Sequence, residues 1–532
     1  MSECAVGRVV VSKTRLRKDG ALGTSAEETR HSPSGLAKCS TRPTARESSL
    51  FLSEFQPALH YISTRAEAPD PKPGLGFADV TLAGLARDGG LYMPVSWPQL
   101  SPAMIAGFAG RPFHEVAVEV IAPFVGSDMT RADLAAMAKA AYAGFGHPAV
   151  TPLVQIAPST FILELFHGPT LAFKDVAMQL LARLMDHVLA GRAERATIVG
   201  ATSGDTGGAA IEAFRGSARV DVVILYPNGR VSDVQRRMMT TPTEANVHAV
   251  AVNGTFDDCQ ALVKSMFNHH AFRDRARLSA INSINWARIV AQVTYYFVAG
   301  AALGSPHRQL QFVVPTGNFG DILAGYVARR MGLPIAGLTI ASNANDILPR
   351  TLATGIYETR GVVPTSSPSM DIQISSNFER YLFEACGRDA GTIRAQMASL
   401  AQSGRFEIGA AKALLARDFT AAAASEADVA DTIRRVERDC GYWAEPHTAC
   451  AIFAANRAGG AAAGIPRVVL ATAHPAKFPD AMQEITGRRP PLPPRLGNLL
   501  AAPERVTVLP NDLSAVEQFI AARSRVITGD RA

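Results

Sequence analysis

What this chain of 532 residues lacks narrows its function before any motif is read. Its main body has no block of five or six like charges, and the formal charge of +6 is diffuse. A basic stripe interleaved with aromatics is missing, which argues against a nucleic-acid partner. The six cysteines (Cys4, Cys39, Cys259, Cys386, Cys440, Cys450) form no CxxC pair and no zinc spacing. Free thiols in a reducing compartment, the cytoplasm, are therefore expected, and no metal. The most apolar window, Ile289 to Leu303, contains Gln292, Thr294 and two tyrosines. It is too short for a bilayer and reads as a buried helix, so no membrane partner is expected. No apolar segment of the secretory kind stands near the start. Neither GxGxxG nor a Walker A loop occurs at the glycine turns; after Lys174, Asp175 stands where Ser or Thr would be required.

What is present suits a globular protein of two or three domains: 47% of residues are hydrophobic and 19% charged. Residues 1–58 are rich in Ser, Thr, Arg and Lys with little apolar periodicity, so an unordered extension is expected. Glu27, Glu28, Glu47 and Glu54 argue against a transit peptide, and an upstream extension of the reading frame fits equally well. An N-terminal domain with helical patterns at Phe113–Ile121 and Arg131–Tyr142 is expected over 59–150. From 151 to 485 short β-branched runs alternate with helical ones. Strands are expected at Phe161–Leu165, Thr197–Gly200, Val222–Tyr226, Val247–Val252, Leu310–Val314, Leu338–Ala341 and Arg467–Ala471. Helices are expected from Lys174, Gly207, Phe256, Asp321 and Ala449. This alternation implies an α/β chain with a largely parallel sheet, whose ligands bind beyond the carboxyl ends of the strands. A Pro-rich connector, Arg488 to Pro494, leads to a C-terminal element over 486–532.

Four segments at such strand ends carry candidate chemistry. Glu164-Leu165-Phe166-His167-Gly168-Pro169-Thr170-Leu171-Ala172-Phe173-Lys174-Asp175 puts one lysine at the mouth of an amphipathic helix. The positive end of the helix dipole and partial desolvation both lower an ammonium pKa and free the amine as nucleophile or base. Gly200-Ala201-Thr202-Ser203-Gly204-Asp205-Thr206-Gly207-Gly208 offers backbone N–H groups and three hydroxyls to an anion. Val314-Pro315-Thr316-Gly317-Asn318-Phe319-Gly320-Asp321 is a second strand-to-helix glycine turn suited to a phosphate. Leu470-Ala471-Thr472-Ala473-His474-Pro475-Ala476-Lys477-Phe478 places a hydroxyl where it can bond a neutral ring nitrogen. Each alone also fits a plain capped turn. Together they describe a lysine, two anion cradles and a partner for a heterocycle, the set needed by pyridoxal phosphate in an amino-acid enzyme.

Here the chain resembles the threonine synthase family, in the longer form found in many bacteria and fungi. The likeness runs from about Tyr61 to the end. It rests on Ala86-Arg87-Asp88-Gly89-Gly90-Leu91-Tyr92, Phe166 to Asp175, Thr202 to Gly207, Asn282-Ser283-Ile284-Asn285-Trp286-Ala287-Arg288, Gly317 to Asp321, and Leu509-Pro510-Asn511-Asp512. Residues 1–58 have no counterpart in the family pattern, and Ala66 stands where glycine is expected.

The resemblance implies the fold type II architecture of pyridoxal-phosphate enzymes: parallel and mixed sheets flanked by helices in a large and a small domain, with an N-terminal helical domain. It implies conversion of O-phospho-L-homoserine and water to L-threonine and phosphate. Lys174 would carry the cofactor and act as the catalytic base. Gly317, Asn318, Phe319, Gly320 and Asp321 would bind the cofactor, and Thr472 its pyridine nitrogen. Thr202, Ser203, Gly204, Asp205 and Thr206 would bind the substrate, with Asn285 and Arg288 candidates for its phosphate. Related enzymes occur as monomers or homodimers, and either state is open here. The rival readings are a serine or threonine dehydratase or cysteine synthase of the same fold, and a ligand-binding relative without turnover. The remaining polar residues read as structural: His269 and His270 lack a carboxylate at ligand spacing, His447 and His474 resemble supporting or capping residues, and Asp257-Asp258 resembles a helix cap.

Overall fold

The computed structural model describes residues 59–67, 74–457 and 464–529. The expected N-terminal extension lies outside them. Two sheets organise the described chain. The larger has six strands in the order Phe419–Ala423, Ile335–Ser342, Leu310–Pro315, Arg467–Ala471, Thr160–Glu164 and Leu153–Ala157. All neighbours in it run parallel except the last pair, which is an antiparallel hairpin. The second sheet is parallel throughout: Thr507–Pro510, Val247–Asn253, Val220–Pro227, Ala196–Ala201 and Leu278–Ser279. Val220–Pro227 (VDVVILYP) is buried at every position. That continuous apolar run is what a strand covered by helices on both faces requires.

The helices Lys174–Gly191 and Trp286–Ala302 pack against each other at the centre. In Trp286–Ala302 all residues but Val298 and Ala302 are buried, as its apolar sequence demands. The N-terminal helices begin at Phe113 and Arg131 as the apolar spacing indicates; Arg131–Tyr142 also ends as expected, while Phe113–Val125 runs a further turn beyond Ile121. Phe113–Val125 lies against the central Trp286–Ala302 helix. All seven expected strands are present, as are helices at Lys174, Asp205, Phe256, Gly320 and Pro446. The cap before Phe256 is Thr255, with Asp258 closing a capping box. Among the described residues no helix is long and apolar enough to cross a membrane.

The segment between Asn343 and Glu445 had no elements assigned from sequence. It contains the helices Ile347–Thr354, Phe378–Ala385, Ala390–Ser403, Ala411–Asp418 and Glu426–Cys440, and an edge strand, Phe419–Ala423. That strand reads FTAAA, an alanine-rich composition with a single β-branched residue, Thr420; its parallel pairing with Leu338 to Ser342 decides its state. Beyond the Pro-rich connector, Thr507–Pro510 joins the second sheet beside Val247–Asn253, and Leu513–Ala521 packs on the helix Phe256–Asn268. The carboxyl ends of Thr160–Glu164, Leu310–Pro315, Arg467–Ala471 and Ala196–Ala201 carry the four segments singled out above.

Candidate active site

The loop before Lys174 is shaped by its own residues. The Asp175 carboxylate accepts from Thr170 N (2.8 Å) and Thr170 Oγ1 (2.6 Å), closing a tight turn. A Cβ on Gly168 would lie 2.3 Å from the Asp175 Cβ, so only glycine fits there. The loop is tied to the end of Arg467–Ala471: Phe173 N donates to Thr472 O (2.8 Å) and His474 N to Leu171 O (3.0 Å). Lys174 is thereby fixed as the first residue of its helix, buried, with Nζ 3.1 Å from Asp205 Oδ2 and 3.5 Å from Ser369 Oγ. Burial lowers its pKa below the usual lysine range; Asp205 opposes that fall, and Lys477 adds to it. Burial likewise raises Asp175 to about 6, against its bonds to Thr170.

Asp205 is the hub of the site. Its Oδ2 also accepts from Ser369 Oγ (3.0 Å), and its Oδ1 from Lys477 Nζ (2.7 Å) and Gln235 Nε2 (2.9 Å). Burial alone would raise its pKa, but the two lysines and these bonds hold it well below the usual carboxylate range. A carboxylate so engaged by cations cannot grip the substrate's carboxylate. The Asp205 side chain is a partner of lysines, and what it can offer a substrate carboxylate is its backbone N–H. Thr202 Oγ1 accepts from Gly204 N and Gly207 N, both at 2.9 Å, and so builds the loop itself. Gly204 has φ +133°, and a Cβ there would meet the Gln235 side chain at 2.5 Å. The hydroxyls of Ser203, Thr206 and Thr472 form no hydrogen bond to any described residue, and they face no competition for a ligand.

The turn at 317–321 is held by its carbonyls. Gly317 O accepts from Ser375 Oγ (2.7 Å); Asn318 O accepts from Asn377 N (3.0 Å) and Nδ2 (3.1 Å). Phe319, at φ +61°, caps the helix Gly320–Arg330 in a left-handed conformation. Its ring is clamped by Phe378 and Phe419, with centroids 5.3 and 5.4 Å away. The first N–H groups of that helix have no intrahelical acceptor and suit an anion. The Asp321 carboxylate serves the core instead: Oδ1 accepts from Tyr295 OH and, at 3.0 Å, from Tyr296 OH. Burial raises it to about 7, more than the tyrosines lower it. Asp321 can offer a phosphate its N–H but not its side chain.

Two residues expected near the substrate phosphate differ sharply. Asn285 is spent on the protein: Oδ1 accepts from Ala287 N (3.1 Å), and Nδ2 donates to Thr81 O (2.9 Å) and Ala280 O (3.4 Å). Its side chain caps the helix Trp286–Ala302. Arg288 is buried, donates from Nη1 to Ile281 O (3.0 Å), and leaves Nε without a partner. No carboxylate pairs with it among the described residues, and burial lowers its pKa to about 10.

Ser369, Gln235 and Lys477 belong to this site but had no role in the sequence reading. Ser369 had no local signal. Lys477 had one: it lies between Pro475 and Phe478-Pro479, beyond the end of a fully buried strand. His447 is the supporting residue it was read as, accepting from Ser369 N through Nε2 at 3.2 Å.

A buried lysine of lowered pKa, a glycine turn opening a helix, and a free Thr472 hydroxyl at the next strand end fit pyridoxal phosphate. A Cβ on Gly317 would lie 2.9 Å from Ser369 O, which marks how closely the chain crowds that cradle.

Comparison with known proteins agrees. The family model described as "Threonine synthase N terminus" matches residues 60–142, "Pyridoxal-phosphate dependent enzyme" 145–417, and "Threonine synthase, C-terminal" 448–520. The threonine synthase of Pseudomonas aeruginosa is 48% identical over 464 residues, covering 87% of this chain and 98% of that one. The crystal structure of pyridoxal-phosphate-bound threonine synthase from Brucella melitensis is 56% identical, with TM-score 0.85 over 88% of this chain and 100% of that one. The yeast threonine synthase structure is 38% identical, with TM-score 0.82 over 88% of this chain and 99% of that one. With these relatives covered almost end to end, the chain belongs to the threonine synthase family of pyridoxal-phosphate-dependent lyases.

Proposed function

We propose that the enzyme converts O-phospho-L-homoserine and water to L-threonine and phosphate, with Lys174 as the residue that carries the cofactor and moves the proton. Pyridoxal phosphate supplies an electron-withdrawing ring that acidifies the α carbon of a bound amino acid. Lys174 Nζ takes the α proton, and Asp205 Oδ2 and Ser369 Oγ hold the resulting ammonium. The backbone N–H groups from Gly317 to Asp321 would hold the cofactor phosphate. The Thr472 hydroxyl would be the partner of the ring nitrogen. A hydroxyl would not force that nitrogen to be protonated; loss of the γ phosphate also needs a proton removed from the β carbon, for which Lys174 Nζ is the base at hand. Ser203 and Thr206, with the N–H groups that open the helix Asp205–Phe214, take the substrate carboxylate. Arg288 takes the substrate phosphate. The cytoplasm is the compartment that suits the free Cys259, Cys386, Cys440 and Cys450.

The observation that carries this reading is a buried guanidinium without an acidic partner, close enough for its charge to lower the pKa of Lys174. A buried cation of that kind is costly unless an anion joins it. Its nearness to the reactive lysine suits a substrate bearing a phosphate as well as an amine. The test is phosphate release from O-phospho-L-homoserine with L-threonine identified as product. Turnover of L-serine, or release of a product other than threonine, would favour a dehydratase or cysteine-synthase chemistry instead.

A further inference from the structure

Lys477 is 1% exposed, and its Nζ sits 2.7 Å from Asp205 Oδ1, while Lys174 takes the other oxygen at 3.1 Å. One carboxylate thus serves two buried lysines. With both protonated, the trio carries one excess positive charge away from water; with one lysine neutral it carries none. A low-dielectric site favours the balanced state, so one lysine must yield its proton.

The surroundings decide which one. Lys174 is faced by Asp205 from the helix Asp205–Phe214, by Lys477 from the turn Pro475–Lys477, and by Arg288 from the helix Trp286–Ala302. Asp321, from the helix Gly320–Arg330, also feels its charge, and is itself raised towards neutrality by burial. Lys477 has the shorter contact to Asp205 and a second carboxylate near it, Asp175. Its turn is fastened by Ser232 Oγ, which donates to Lys477 O at 3.2 Å. Ser232 caps the same helix whose Gln235 bonds Asp205. Lys477 therefore makes the tighter ion pair with Asp205 and Lys174 the looser one.

We propose that Lys477 is a positioning residue for Lys174: by pairing with Asp205 it offsets the carboxylate's charge, so that Lys174 is the member of the trio that gives up its proton. Asp205 then orients the neutral Lys174 amine in the resting site and pairs with it as an ammonium only after it has taken a proton. Without Lys477, Asp205 and Lys174 would form a balanced ion pair, and the amine needed for chemistry would be locked in its charged form. The inference rests on Lys174 being the cofactor lysine.

The test uses the full chain stripped of cofactor and reconstituted with pyridoxal phosphate from neutral to alkaline pH, the visible absorption band reporting the rate. Lys477→Met moves the pH midpoint of reconstitution up by about one unit, roughly tenfold slower at neutral pH. Lys477→Arg keeps the wild-type midpoint. The double variant Asp205→Asn/Lys477→Met restores charge balance and brings the midpoint back. A slower Lys477→Met with an unmoved midpoint would overturn the proposal and leave Lys477 a packing residue. Should Lys477→Met fail to fold, Asp205→Asn decides: its midpoint must move down, and an unmoved one overturns the proposal. Retention of the band in Lys174→Ala would sink the reading of Lys174 itself. Loss of that band with an unmoved Lys477→Met midpoint would sink only this inference.

Discussion

The backbone N–H of Ser369 donates to Nε2 of His447 across 3.2 Å, which makes that nitrogen the acceptor and puts the ring proton on Nδ1. Nδ1 in turn meets Glu445 Oε2 at 2.6 Å. The Glu445 carboxylate is fully buried and also accepts from His447 N, Thr448 N and Thr448 Oγ1. Position and tautomer are thus fixed from the start of the helix Pro446–Arg457 up to the segment that touches Asp205. Replacing Glu445 by Ala removes the acceptor for four donors in the core. The expected loss is about 2–3 kcal/mol of stability, read by urea unfolding. A loss below experimental error would mean that water takes over those donors.

Gly317→Ala would set a methyl carbon 2.9 Å from Ser369 O and 3.3 Å from Met370 Cα. Neither neighbour is a flexible side-chain tip, so the turn or the Ser369 segment must shift. The protein should fold, since the turn lies at a strand end. Its affinity for pyridoxal phosphate should fall about tenfold or more, because a displacement of well under 1 Å disturbs several aligned N–H donors together. Titration of the visible band against added cofactor measures this; unchanged affinity would remove Gly317 from the cradle.

How much of this was legible beforehand can be argued from the residues themselves. Strands such as Val220–Pro227 and helices such as Trp286–Ala302 are apolar enough that burial dictates their state, and both were read correctly. Phe419–Ala423 was invisible because alanine carries no strand preference, and its partner strand lies some 80 residues earlier in the chain. At the site, Lys174 and the two glycine turns were legible because backbone N–H groups and a lone lysine announce chemistry locally. The side-chain partners of Asp205 and Asn285 were not legible, for the opposite reason. What a carboxylate or an amide does depends on which distant donors reach it, here Lys477 and Gln235 for the one and Thr81 for the other.

Arg288→Met separates function from stability. The variant deletes a buried charge that has one hydrogen bond and an unpaired Nε, and replaces it with apolar volume. Cofactor-free protein should therefore become more thermostable, by a few degrees. The KM for O-phospho-L-homoserine should rise by tenfold or more, the order expected when a charge-assisted bond to a phosphate is lost. Thermal melts and steady-state kinetics check the two halves. A destabilised variant with unchanged KM would make Arg288 a structural residue.

Asp321 predicts a pH dependence with a defined sign. Its carboxyl is raised from 3.8 to about 7 by burial, so the folded chain binds this proton more tightly than the unfolded chain. Its contribution to stability is complete below the unfolded value and is lost as pH rises towards 7. At about 1.4 kcal/mol per pH unit the loss is of order 4 kcal/mol. Asp321→Asn keeps an acceptor for Tyr295 and Tyr296 but does not ionise. The melting temperature of the variant relative to wild type should therefore climb from acid to neutral pH. A constant difference would show that Asp321 is charged or uncharged throughout.

The central claim is that the Lys174 amine is the group bonded to pyridoxal phosphate. Purified protein should absorb near the edge of the visible range, and borohydride treatment followed by peptide mapping should find the reduced cofactor on Lys174. In Lys174→Ala the band should vanish while the protein remains folded. Label on Lys477 or another lysine, or a band that persists in Lys174→Ala, would contradict the account.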